Sequence, residues 1–135
     1  MSEETSTFDL SQFEAQDTAI LDVQNMKDDG PLLHSSQPVR IHLHSPGSTI
    51  YVRAQAKLQR ANDARMQAMM RGKKLNETPE EKRRRNAEYL AELTSHIENF
   101  PIPGGPLALY DNPKLGYITS QVDRFVSDWA NFSKG

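Results

Sequence analysis

Residues 115–132 read LGYITSQVDRFVSDWANF and form the densest run of large apolar side chains in the chain. The apolar residues recur at steps of three and four, which places them along one side of a helix. They are Leu115, Ile118, Val122, Phe125, Trp129 and Phe132. Fully burying one such side chain stabilises a fold by roughly 1.5 to 3 kcal/mol. The pattern predicts an amphipathic helix over about 114–132 that packs on the rest of the domain or on a partner protein.

The size and composition of the chain favour a single small domain. It has 135 residues, of which 36% are hydrophobic and 25% are charged. We therefore expect one domain over 17–135 with a thin core and a large polar surface. The absence of cysteine excludes disulfides and thiolate metal sites, and no apolar run approaches the roughly 20 residues that cross a bilayer. These features predict a cytoplasmic protein with no membrane partner.

The net charge of −2 conceals an uneven distribution of charge. Residues 1–30 hold eight acidic groups and one lysine, whereas residues 31–75 hold eight basic groups and one aspartate. The acidic segment can therefore fold back on the basic one, or the basic segment can face a polyanion. Residues 1–16 are polar with few apolar anchors, and we expect them to form a flexible acidic N-terminus.

Two early segments alternate apolar and polar residues, as half-buried strands do. The first centres on Leu21, and the second is PVRIHLH, residues 38–44. Turn residues lie between them, including Gly30-Pro31. The pattern predicts an N-terminal β-hairpin over 18–44, whose apolar face needs a helix to cover it.

Three main helices are predicted after the hairpin, which gives an α+β fold that is mostly α. The first spans about 48–71 and begins with Ser48 as its N-cap. The second spans 79–99, with Thr78 at the N-cap and Glu81 placed to complete a capping box. The third is the helix over about 114–132.

The candidates for metal or catalytic chemistry are few. His42 and His44 form a His-x-His pair on the outward face of the second strand. A metal site needs three or four ligands, and no convincing third is found among His34, His96 and Asp22. No phosphate-binding loop, nucleophile elbow or zinc-protease motif occurs. We therefore predict exposed strand histidines, no metal, no cofactor and no enzymatic activity.

Basic residues cluster around the connection between the first and second predicted helices. They are Arg71, Lys73, Lys74, Lys82, Arg83, Arg84 and Arg85, enough to contact phosphates at low salt. However, glutamates alternate with these cations, and aromatic residues that could stack on bases are absent from the segment. Ion pairs between helices, or a solvated face, explain the same residues, so nucleic-acid binding is the less favoured interpretation.

The first helix carries a narrow stripe of small and flexible apolar side chains. Methionine is flexible and polarisable, so such a stripe can repack against varied helical partners. The predicted partner-binding positions are Tyr51, Leu58, Met66, Met69 and Met70. The alternative is that these residues belong to the core of the domain itself.

Three short blocks of the sequence occur in an order and spacing that can be compared with a known protein family. They are the strand pair with its DGPL linker (residues 29–32), the SPGSTIYVRAQ turn into the long helix (residues 45–55), and a closing segment with QVDRF and ANF (residues 121–132). In order and spacing they resemble the small tail assembly chaperones of long-tailed, siphovirus-like bacteriophages. The chain departs from that pattern in its long acidic N-terminus and in Trp129.

The resemblance implies a non-enzymatic helper that coats the tape measure protein before the tail tube protein polymerises around it, and then leaves. The expected partners are the tape measure protein and the tail tube protein, with a homo-oligomer as an open alternative. Such a protein acts in the cytoplasm of the infected bacterial host and is absent from the mature virion. The competing interpretation is a structural tail component, such as a completion or connector protein, which stays in the virion.

Overall fold

A computed structural model describes residues 8–74 and 77–134. Its strands are β1 (Thr18–Asp22), β2 (Leu33–His34), β3 (Gln37–Pro38), β4 (Arg40–His44) and β5 (Thr94–Glu98). Its helices are α1 (Thr49–Met70), α2 (Pro79–Glu92), α3 (Gly105–Tyr110) and α4 (Gly116–Val126), with 3-10 turns at Leu10–Phe13, Pro113–Leu115 and Trp129–Phe132. The prediction of an α+β fold that is mostly helical is confirmed. Of the predicted flexible N-terminus, residues 1–7 lie outside the described residues.

Strand β4 is the centre of a three-stranded antiparallel sheet with the order β1-β4-β5. Its alternation buries Ile41 and Leu43 on one face and turns His42 to the other. β1 pairs with β4 along its whole length, while β2 and β3 form a separate two-stranded ribbon within their connection. The β-hairpin layout predicted over 18–44 is therefore not found, because β4 pairs with β5, a strand from much later in the chain, as well as with β1.

The second helix ends at Glu92, so the predicted helix over 79–99 was too long. Residues 94–98 instead form β5 and pair with β4, with Ile97 opposite Ile41. Pairing with the free edge of β4 satisfies the backbone groups of both strands. The β-branched residues Thr94 and Ile97 also favour an extended conformation.

The predicted helix over 114–132 is interrupted. α4 ends at Val126, and residues 129–132 form a separate 3-10 turn. Both residues at the break bond locally: Ser127 donates to the Asp123 carbonyl at 2.8 Å, and the Asp128 carboxylate accepts from the Ala130 N–H at 3.0 Å. Such bonds compete with helix continuation. As a result the stripe divides, with Phe132 buried and Trp129 exposed.

The two helix starts that were predicted from capping residues are found in the structure. The Ser48 hydroxyl accepts from the Tyr51 N–H at 3.1 Å and begins α1. The Thr78 hydroxyl accepts from the Glu81 N–H at 3.1 Å and begins α2. Each bond satisfies one of the N–H groups that a helix start leaves unpaired.

The core lies between the inner face of the sheet and helices α2, α3 and α4. Its members include Ile41, Leu90, Leu109, Ile118 and Val122, all fully buried. α1 contributes only Ala54 to the buried set, so most of this helix lies outside the core. Across the described ranges, no helix combines the length and apolar character needed to cross a membrane.

Candidate functional site

Helix α1 extends well beyond the helix that it packs on. Its 22 residues span about 33 Å at 1.5 Å per residue, whereas the 14 residues of α2 span about 21 Å. None of residues 59–70, here called the distal segment of α1, is buried, and only Arg65 and Ala68 are half-buried. Within the described residues, this segment therefore presents most of its surface to solvent.

Three methionines of the distal segment are exposed together. The exposed fraction is 59% for Met66, 54% for Met69 and 81% for Met70. Positions three and four apart on a helix are neighbours on its surface, so Met66 lies beside both of the others. Exposed apolar residues that occur singly are ordinary, but a contiguous apolar patch is typical of an interaction surface.

Tyr51 and Leu58 are placed differently from the methionines. Tyr51 is half-buried and packs edge-on against Tyr89 of α2, with ring centroids 6.4 Å apart. Leu58 is also half-buried and lines a small groove between α1 and α2. The five positions predicted from the sequence therefore divide into two residues packed within the domain and three exposed at the end of α1.

A half-buried carboxylate ties the distal segment to the start of α2. The Arg65 guanidinium of α1 lies 2.9 Å from a carboxylate oxygen of Glu77, and Arg85 of α2 bonds the other oxygen. The Glu77 side chain is only 15% exposed. A carboxylate removed from water in this way is stabilised by two charge-assisted bonds. The ion pairs therefore fix the distal segment beside α2 and leave the methionines uncovered.

The basic residues at the start of α2 also form ion pairs within the domain. Arg83 donates to the Asp111 carboxylate at 3.3 Å, and Arg84 donates to the same carboxylate at 3.0 Å. These contacts, chiefly the hydrogen bond from Arg84, lower the pKa of Asp111. Together with Arg85, three of the seven cations in the predicted basic cluster are engaged by carboxylates of the domain itself.

The outward face of the sheet holds a second polar feature. The His42 and His96 rings stack with centroids 3.8 Å apart and planes 24° from parallel. Glu98 bonds Nε2 of His42, and this bond lowers the pKa of the Glu98 carboxyl. Each of the three residues offers one donor atom, and these atoms lie within 4.8 Å of one another.

From the sequence, no convincing third ligand was predicted among His34, His96 and Asp22, and His96 fell within the helix predicted over 79–99. In β5, His96 is directly opposite His42. His44, the predicted companion of His42, is not part of the cluster. The β-branched residues at 94 and 97 were the signal in the sequence that could have identified the strand.

A cleft separates the N-terminal segment from the C-terminal turn. Its volume is about 650 Å³, and its lining includes Phe13, Gly47, Trp129 and Lys134. Phe13 and Trp129 are both exposed. The Gln16 N–H donates to the Phe132 carbonyl at 2.7 Å, which holds the two sides of the cleft together.

No family model, curated protein or solved structure significantly matches this chain. Its function is therefore inferred from the surfaces described above and from the three sequence blocks.

Proposed function

We propose that this chain is a non-enzymatic tail assembly chaperone of a long-tailed bacteriophage, which binds the tape measure protein and promotes assembly of the tail tube around it. The observation that carries the proposal is the exposed methionine group on the distal segment of α1. These methionines form an exposed apolar surface, which suits binding to an apolar client. The sequence blocks that resemble tail assembly chaperones support the same function. A tape measure protein offers long apolar helices, and an adaptable apolar face is what such a client requires.

The rest of the distal segment is compatible with a helical client. Arg60 and Arg71 lie near the two ends of the segment and are exposed. Their charges would keep a complex with an apolar client in solution.

The size of the methionine group predicts weak binding by a single copy. Covering the exposed parts of Met66, Met69 and Met70 contributes roughly 1 to 2 kcal/mol each, or about 3 to 6 kcal/mol together. Association of two molecules costs an estimated 4 to 15 kcal/mol in lost translational and rotational freedom. One copy therefore holds its client weakly, and several copies gain from multivalency where they are linked to one another in a homo-oligomer. This arrangement suits a protein that coats the client and later leaves.

The test is a charge substitution on the methionine surface. The variant Met66→Glu/Met69→Glu should lose co-purification with the tape measure protein of the same phage, and the co-expressed client should become insoluble. Both residues are more than half exposed, so the free energy of unfolding should change by no more than about 0.5 kcal/mol per site. Met26→Glu is the matched control, because Met26 is 73% exposed and lies outside α1.

Two results would contradict the proposal. Equal client binding by the wild type and by the double variant would exclude the distal segment as the binding surface. Global unfolding of the double variant, seen by circular dichroism, would instead place the methionines in the core. Mass spectrometry of purified virions provides a separate check, since a chaperone should be absent from them and a structural tail component should be present.

A further inference from the structure

The cluster on the outward face of the sheet lies on different elements from the proposed partner surface. His42 is in the middle of β4, and His96 is directly opposite it on β5. Glu98 follows two residues later on the same strand, and side chains two residues apart on a strand point to the same face. Antiparallel pairing therefore brings two imidazoles and one carboxylate to a single point on the sheet surface.

We propose that His42, His96 and Glu98 form a binding site for a divalent transition metal ion of the zinc type. Two imidazole nitrogens with one carboxylate oxygen are a ligand set that zinc uses in open sites, where water fills the remaining position. Magnesium and calcium prefer sites made of oxygen alone. The donor set therefore selects for zinc and its transition-metal neighbours.

The spacing of the donor atoms suits one shared ion. Two ligand atoms on a tetrahedral zinc ion, each about 2.0 to 2.1 Å from the metal, lie about 3.3 Å apart. The three donor atoms here lie within 4.8 Å of one another, and the two stacked imidazole rings would turn apart so that both nitrogens point at the shared ion. Nε2 of His42 and the Glu98 carboxylate, which now bond each other, would both turn to the metal.

The surrounding charges permit a cation at this position. Glu98 supplies a carboxylate beside the two imidazoles. Arg40 is opposite Glu98 in the strand register and is the nearest opposing charge on β4. Its Nε, however, bonds the Asp22 carboxylate at 3.0 Å, so much of its charge is neutralised by a group on β1.

The test measures metal binding by the full chain. After treatment with a chelator and removal of any affinity tag, the wild type should bind one equivalent of Zn²⁺ in a calorimetric titration. Zn²⁺ should also raise the thermal midpoint, because an ion that binds only the folded state stabilises it. His96→Ala and the nearly isosteric Glu98→Gln should each weaken binding at least about tenfold. Circular dichroism verifies that both variants fold.

His34→Ala provides the matched control. It also removes one imidazole, but His34 lies in β2, edge-on to Phe100 and outside the cluster. Its affinity for Zn²⁺ should equal that of the wild type. In imidazole NMR spectra, Zn²⁺ should shift the His42 and His96 signals and leave those of His34 unchanged. The proposal is overturned if the wild type shows no saturable binding of one equivalent, or if Glu98→Gln and His96→Ala bind as tightly as the wild type. Neither result bears on the chaperone proposal, which concerns α1.

Discussion

A buried pair of hydroxyl groups joins β5 to α3 and allows a quantitative test of the fold. Thr94 Oγ1 lies 2.7 Å from the Tyr110 hydroxyl and 2.9 Å from the Leu90 carbonyl oxygen, to which it donates. Tyr110 is 2% exposed and Thr94 is 9% exposed. Burial raises the pKa of Tyr110 to about 12, so its hydroxyl is protonated at neutral pH and can donate to Thr94.

The two single substitutions should differ in their effect on stability. Tyr110→Phe removes one donor, while the Thr94 hydroxyl keeps its bond to Leu90, so we expect a loss of about 1 kcal/mol. Thr94→Val leaves the Tyr110 hydroxyl buried without a partner, which should cost about 2 kcal/mol. In the double variant, apolar groups replace both hydroxyls and nothing polar is stranded there. Its loss should be only about 1 kcal/mol, well below the sum of the single losses.

Urea unfolding of the four proteins measures this coupling directly. For a chain of this length, each kcal/mol corresponds to a change of roughly 3 to 4 °C in the thermal midpoint, which gives an independent reading. Tyr117→Phe is the control, since it makes the same chemical change at a half-buried tyrosine of α4. Additive losses, or a Thr94→Val variant as stable as the wild type, would refute the inference that β5 and α3 share a buried hydroxyl pair.

Two further predictions concern backbone strain and acid stability. Gly72 and Gly104 have φ values of 84° and 90°. Gly72→Ala should therefore lower the free energy of unfolding by about 1 kcal/mol from strain alone. Gly104→Ala should lower it further, since its Cβ would lie 2.9 Å from that of Ala108. Urea unfolding of both variants measures the difference. Asp111 has a lowered pKa, chiefly through Arg84, so its stabilisation is present above the ordinary value of 3.8 and is lost as the pH falls further. Asp111→Asn should therefore lose less stability than the wild type between about pH 5 and about pH 3, and an equal loss would exclude this carboxyl as a cause.

The helix starts could be predicted from the sequence because they depend on local bonds. A hydroxyl at the N-cap reaches the N–H group three residues later, and both partners are visible in a short stretch of sequence. Ser48 and Thr78 make these bonds, and α1 and α2 begin directly after them. No distant part of the chain has to be known for this prediction.

Whether residues 94–98 form a helix or a strand depends instead on their pairing with β4, which is distant in the sequence. Leu90, Leu93 and Ile97 are spaced as on one side of a helix, and that pattern predicted the longer helix. In the structure the chain turns after Leu93 and Ile97 enters a strand, where Leu90 and Leu93 are buried and Ile97 packs against the core half-buried. The edge of β4 decides between the two conformations, since it offers backbone partners that a helix would leave unused.

The partner surface was predictable only in part, for a geometric reason. Tyr51 and Met66 belong to the same stripe in the sequence, yet one is half-buried and the other is 59% exposed. Their exposure depends on how far α2 extends beside α1, which periodicity in α1 alone does not encode. A stripe identifies which side of a helix is apolar. The length of the neighbouring helix determines how much of that side remains open.

The histidine cluster illustrates how strongly a polar site depends on secondary structure. On a helix, residues two apart point about 200° away from each other, so His96 and Glu98 could not serve one ion. On a strand they share a face, and the register places His42 directly opposite His96 on the next strand. A helix and a strand can bury the same apolar residues, so the core tolerates either assignment. The three polar groups come together only if residues 94–98 form a strand. Metal titration of this face therefore also tests the strand assignment.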